Sequence, residues 1–143
     1  MTARTRVVID TNVVISAMLW HGVPGQLLEL ADAGVFQLCT SVSLLHELNG
    51  VLRYPKFVPR LRSMAVDPEA LAENYLRIAT VVPAPALPWR VSRDADDDAA
   101  LACAISAGAV CLVSGDQDLL SLGTYHGLPI LRAATALRFF TAA

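Results

Sequence analysis

Four carboxylate positions in this sequence stand out for where they fall. Asp10 closes the apolar run Val7-Val8-Ile9 and is followed by Thr11-Asn12. Glu47 lies among Leu44, Leu48, Val51 and Leu52, at i+3 from Leu44 and i−4 from Val51, so at helical spacing it points toward the apolar face. The run Asp94-Ala95-Asp96-Asp97-Asp98 precedes a stretch rich in Ala, and Asp116 follows Leu112-Val113-Ser114-Gly115. Acids gathered in a partly dry crevice repel one another and have raised pKa values. A hard divalent cation relieves that repulsion, and a set of carboxylates without His or Cys suits magnesium or manganese better than zinc. One or two such ions can activate a water and stabilise the charge that develops in an in-line phosphoryl displacement. The chemistry implied is cation-assisted phosphodiester hydrolysis.

Each position also has a plainer reading. Asp10, Thr11 or Asn12 can cap a helix. Glu47 can sit at the rim of the core and reach solvent or an arginine. Acids in a first helical turn are stabilised by the helix dipole, by about 0.3–1 kcal/mol each, which accounts for two acids of the run more comfortably than for four. Within that run Asp98 precedes Leu101, Ala102 and Ile105 at i+3, i+4 and i+7, so it is best aligned with the expected inward face, and Asp97 is second.

The elements that must position these acids alternate. The first strand reads as buried on both faces, because it is an unbroken β-branched run. Further strands are expected over 36–40, 80–82 (at an edge), 110–113 and 129–131. Helices are expected over 13–20, 25–33, 41–53, 68–79, 94–107 and 133–140. Pro83, Pro85 and Pro88 make 83–89 an extended connector. The pattern implies a three-layer α/β/α sandwich with a central, mainly parallel sheet of four to five strands. In such a sheet the crevice beyond the strands' carboxyl ends is the ligand site, and both Asp10 and Asp116 are delivered there. Helix starts that follow a strand lie at the same edge, which brings in Asp97, Asp98 and Glu47.

Size and composition agree with one domain over residues 1–143, 55% hydrophobic and 17% charged, well outside the disordered class. The most apolar window, 99–113, is too short and too interrupted to cross a membrane. Residues 1–6 contain no apolar leader, so the expected location is cytoplasmic. Cys39, Cys103 and Cys111 form no C-x-x-C pair and read as core thiols. The net charge of −2 gives no overall basic footprint. Arg53, Lys56, Arg60 and Arg62 nevertheless cluster with Tyr54 and Phe57, either as a solvated connection or as a surface that holds phosphates and stacks an unpaired base.

Val7 to Asn12, Glu47, the Asp-rich helix start and Leu112-Val113-Ser114-Gly115-Asp116 together resemble the PIN domain, and in particular the toxin ribonucleases of the VapC type, from about Arg6 to Leu131. The resemblance implies a metal-dependent endoribonuclease that is the toxin of a toxin–antitoxin pair. It implies one or two magnesium or manganese ions held by Asp10, Asp98 and Asp116, with Asp97 close enough to be a ligand instead, and Glu47 completing the site. Glu47 is then the first choice for orienting or deprotonating the attacking water. Asn12, Ser114 and Asp118 would orient the carboxylates, and Arg53, Tyr54, Lys56, Arg60 and Arg62 would contact RNA. A homodimer and an antitoxin that covers the acidic groove are also implied. The alternative is a catalytically weak PIN domain kept as an RNA- or protein-binding module. Phosphotransfer domains with acids at strand ends fit less well, since Asp10 is followed by Thr11-Asn12 and no Lys occurs after Lys56.

Overall fold

The computed structural model describes residues 5–142. The expectation that no leader precedes the first strand rests mainly on residues 1–4, which lie outside the described residues. The first strand, β1 (Arg6–Ile9), runs into α1 (Thr11–Trp20) and α2 (Gly22–Asp32). Then come β2 (Gln37–Thr40) and α3 (Val42–Val51), whose N-cap Ser41 accepts from the Leu44 amide. A 3₁₀ turn (Pro55–Phe57) leads to α4 (Val58–Met64), α5 (Pro68–Ile78) and β3 (Ala79–Val81). The second half holds α6 (Ala95–Ala107), β4 (Cys111–Val113), α7 (Gln117–Leu122), β5 (Thr124–Tyr125), β6 (Leu128–Leu131) and α8 (Ala133–Thr141).

The strands form one sheet in the order β3-β2-β1-β4-β6-β5. The pairings β1/β2, β1/β4, β2/β3 and β4/β6 are parallel, and β5/β6 is antiparallel. The expected α/β/α sandwich is therefore correct in kind, with six strands in place of four to five. The extra strand is β5, only two residues long, turned back onto β6 by His126 and Gly127, both at positive φ (49° and 78°). That is the primed hairpin geometry, which matches strand twist but is more readily recognised from Asn-Gly or Asp-Gly than from His-Gly.

Helices cover both faces, which is why β1 carries no polar alternation. Val7 and Ile9 enter one core with Leu38, Val113, Leu27, Leu48 and Phe36. Val8, between them, enters the other with Cys39, Leu112, Ala100, Leu101 and Leu119. All three cysteines are buried and free, and burial pushes the Cys103 and Cys111 thiols up to about 11, so they are the inert core groups expected. After β3 the connector keeps Val82 paired to the Thr40 carbonyl at 2.8 Å and then crosses α6, against whose core Ala84, Leu87 and Val91 pack. Among the described residues no single helix is long and apolar enough to cross a membrane.

Candidate active site

The sheet order reverses between its two central strands. From β1 the chain builds outward through β2 and β3, then returns to place β4 on the other side of β1. A crevice opens at the carboxyl ends where neighbouring strands lead their connections apart. Asp10 leaves β1 at this point and Asp116 stands three residues beyond β4. The two strand ends are fastened together: the Asp10 amide donates to the Val113 carbonyl at 2.8 Å, and Ser114 Oγ donates to Asp10 Oδ2 at 2.9 Å while accepting from the Asp116 amide at 3.0 Å. Ser114 thus holds the Asp10 carboxylate directly and the backbone of Asp116.

Capping and chemistry coincide here. Asp10 is the N-cap of α1 and accepts from the Thr11 amide at 2.8 Å, and Asp116 is the N-cap of α7 and accepts from the Leu119 amide at 3.1 Å. Those amides offset part of the cost of burying a carboxylate. Asp10, only 3% exposed, nevertheless has its carboxyl raised: burial is the main cause, and Asp116 and Asp94 add repulsion that the Ser114 and Thr11 hydrogen bonds oppose.

Glu47 reaches the crevice from the second turn of α3, half-buried, and accepts a hydrogen bond from the Thr11 hydroxyl. Burial pushes its carboxyl up to about 7, Thr11 opposes, and Asp96 and Asp10 raise it further. Thr11 as a partner for Glu47, and Asp96 as its neighbour, escaped the sequence reading. In the sequence Thr11 reads only as a cap, and Asp96 lies off the apolar stripe.

The alignment of Asp98 is corrected by the way α6 packs. Ile105, used to define the inward face, is 42% exposed. Ala100, Leu101 and Ala104 are fully buried, and it is Asp97 that precedes them at i+3, i+4 and i+7. Asp97 is accordingly only 5% exposed, accepts from Ser92 Oγ at 3.0 Å and faces Asp116. Burial and Asp116 push its carboxyl up to about 7. Asp98 is directed instead to the connector, where its two oxygens accept from the amides of Val91 (3.1 Å) and Ser92 (2.7 Å).

Carboxylate oxygens of Asp97, Asp116 and Asp118 lie within 4.8 Å of one another. Asp118 holds Arg93, whose Nη2 lies 3.0 and 3.1 Å from its two oxygens. Asn12 is exposed in the first turn of α1. The basic segment is partly spoken for. Arg60 lies over the Trp20 ring at 5.8 Å and donates to the Leu19 carbonyl, and Arg53 is shared between the Asn49 carbonyl and Glu69. Tyr54, Lys56 and Arg62 are exposed.

The donor set fits a hard divalent cation: oxygen only, crowded, and with acids whose mutual repulsion a positive ion would remove. A stability consequence follows. Glu47 and Asp97 have folded values near 7, against ordinary values of 4.5 and 3.8, so the folded state holds their protons more tightly than the unfolded chain does. The resulting stabilisation is present below about pH 4 and is lost as pH rises through about 7. Metal-free protein is expected to melt at a lower temperature at about pH 8 than at about pH 5, and added magnesium or manganese to raise the melting temperature more at the higher pH. Thermal denaturation followed by circular dichroism at both pH values, with and without the ion, checks this. An ion effect confined to the lower pH would contradict it.

The sheet and its crevice define a class: α/β proteins that gather carboxylates from distant segments at the switch point. Within it, the PIN domain family matches residues 6–118, and the chain belongs to that family, whose members are generally nucleases. It is 31% identical over 122 residues to the uncharacterized protein MJ1680 of Methanocaldococcus jannaschii, a match covering 83% of this chain and 76% of that protein. Its fold is similar to the crystal structure of PAE2754 from Pyrobaculum aerophilum, with a TM-score of 0.64, 20% identity and coverage of 97% and 91% of the two chains. It is also similar to a chain in the crystal structure of VapBC2 from Rickettsia felis bound to a DNA fragment from their promoter, with a TM-score of 0.60, 16% identity and coverage of 90% and 98%.

Proposed function

We propose that this PIN domain is a magnesium- or manganese-dependent endoribonuclease and acts in the cytoplasm as the toxin of a toxin–antitoxin pair. The observation that carries the nuclease reading is the convergence of Asp10, Glu47, Asp97 and Asp116, from four distant segments, on the crevice at the switch point. The toxin reading draws its support from the likeness to the Rickettsia felis complex. An antitoxin that covers the acidic crevice, and a homodimer, belong to the same proposal.

In this mechanism Asp10, Asp97 and Asp116 hold the cation, with Asp97 taking the place that the sequence suggested for Asp98. When bound, the cation supplies Lewis acidity to the phosphate and makes water a better nucleophile. Ser114 and Ser92 keep Asp10 and Asp97 turned inward, a kind of support that costs roughly 10–100-fold in metal affinity or activity when removed. Glu47, fixed by Thr11, orients the attacking water and accepts its proton, a role suited by a pKa close to the working pH. Arg53, Tyr54, Lys56, Arg60 and Arg62 are the proposed contacts for RNA that extends beyond the crevice; Arg53 follows Glu47 by six residues, about 9 Å at helical rise. Of these, Tyr54, Lys56 and Arg62 are exposed, with Lys56 resting over the Phe57 ring at 5.1 Å.

The test is cleavage of a panel of single-stranded RNAs by purified protein in magnesium, manganese or EDTA, beside Asp10→Asn and Asp116→Asn. Both substitutions keep shape and remove charge. Cleavage that requires the ion and disappears in both variants is the expected result. Wild type and variants that are equally inert, yet bind RNA or a partner protein alike, would move the chain to the binding-module reading.

A further inference from the structure

Three successive connector residues engage the acids of this site: the Val91 and Ser92 amides donate to Asp98, Ser92 Oγ donates to Asp97, and the Arg93 guanidinium meets Asp118. The backbone beneath Arg93 is therefore held at fixed points, whereas its side chain is 88% exposed. Asp118 contributes a carboxylate oxygen that lies within 4.8 Å of those of Asp97 and Asp116, so the guanidinium sits at the mouth of the crevice and not on a remote surface. We propose that Arg93 is the cation that receives a phosphate of the RNA in this site, resting on Asp118 until the RNA displaces that carboxylate. The inference rests on the nuclease reading above.

Three physical points support it. A crevice lined by at least four acids repels a polyanion, so a positive group is needed where the strand enters. The planar guanidinium fork suits a phosphate as well as it suits a carboxylate, and its pairing with Asp118 already uses two Asp118 oxygens. An ion pair this exposed contributes little to stability, so exchanging Asp118 for a phosphate costs little.

The experiment measures binding of a fluorescein-labelled single-stranded RNA oligomer by anisotropy, with magnesium present, across a range of salt concentrations. It uses the full chain carrying Asp10→Asn so that the oligomer stays intact. Adding Arg93→Gln should weaken binding and reduce the slope of log K against log salt by about 0.7, the contribution of one phosphate on a single strand. Arg93→Lys should keep the slope, because the charge stays. Asp118→Asn should tighten binding, because the competing carboxylate has lost its charge. An unchanged slope in Arg93→Gln overturns the proposal while leaving the nuclease reading intact. So does equal weakening by Arg93→Gln and Asp118→Asn with matching losses in melting temperature, since the pair would then only fasten the connector. Absence of RNA binding in every variant at every salt concentration overturns the RNA reading and the role of Arg93 together.

Discussion

Asp97→Asn is expected to lose RNA cleavage, and Asp98→Asn to keep it. The two residues are neighbours in one acidic run, yet their carboxylates do opposite things. Asp97 lies under the connector beside Asp116, where its charge is unfavourable until a cation arrives. The amide substitution keeps the Ser92 contact, because an Asn oxygen still accepts, but removes the charge that in the proposed mechanism would hold the ion. The loss should exceed the roughly 10–100-fold that follows from disturbing a group one step removed from a metal. Melting temperature in the absence of metal should hold or rise, because a strained ionisation has gone. Asp98→Asn should behave the other way. It weakens two hydrogen bonds from the Val91 and Ser92 amides and lowers stability by about 1 kcal/mol or somewhat more, while single-turnover cleavage at saturating RNA stays within a few-fold of wild type. Retained cleavage in Asp97→Asn with loss in Asp98→Asn would return the metal to Asp98 and refute the packing argument.

Phe36→Ala is expected to cost about 3–5 kcal/mol of folding stability and to leave the chemistry of the folded fraction unchanged. Phe36 is 1% exposed, at the entry to β2, and its ring lies 4.7 Å from that of Phe140 on α8. It belongs to the core on the face of the sheet built from α1, α2, α3, α4, α5 and α8, and its side chain fastens the closing helix there. Truncation leaves a cavity between packed elements that cannot collapse without moving α8. Against a total stability of about 5–15 kcal/mol the loss is large. Urea denaturation should show a lower midpoint with little change in slope, and cleavage per folded molecule should match wild type. A stable Phe36→Ala with altered cleavage would mean that α8 is coupled to the crevice, which the contacts do not suggest.

Asp97, Asp98 and Phe36 divide the molecule into what its own sequence pattern states and what packing adds. The strands that lead to Asp10 and Asp116 were legible because Val7-Val8-Ile9 and Cys111-Leu112-Val113 are short apolar runs, each followed by a polar turn. That pattern depends on local composition, and a strand buried on both faces can hardly read otherwise. The position of Glu47 on an apolar helical face was legible for the same reason. The set of acids, in order, also sufficed to suggest the family to which the chain belongs.

The choice between Asp97 and Asp98 was not legible. Helix α6 is apolar almost all round, because the sheet covers one side and the proline-rich connector covers the other, so periodicity could not say which side was inward. The exposed Ile105 then pointed to the wrong stripe. The pairing of Arg93 with Asp118 joins residues 25 apart through a connector whose path no local rule states. Arg60 likewise found Trp20 and the end of α1, 41 residues away from its Leu19 partner. The sequence by itself determined which residues end the strands and that acids meet at their edge, since both follow from patterns a few residues long. Only the tertiary structure decided which carboxylates face one another, because that depends on which surfaces the connector and helices cover, and burial is a property of the whole fold.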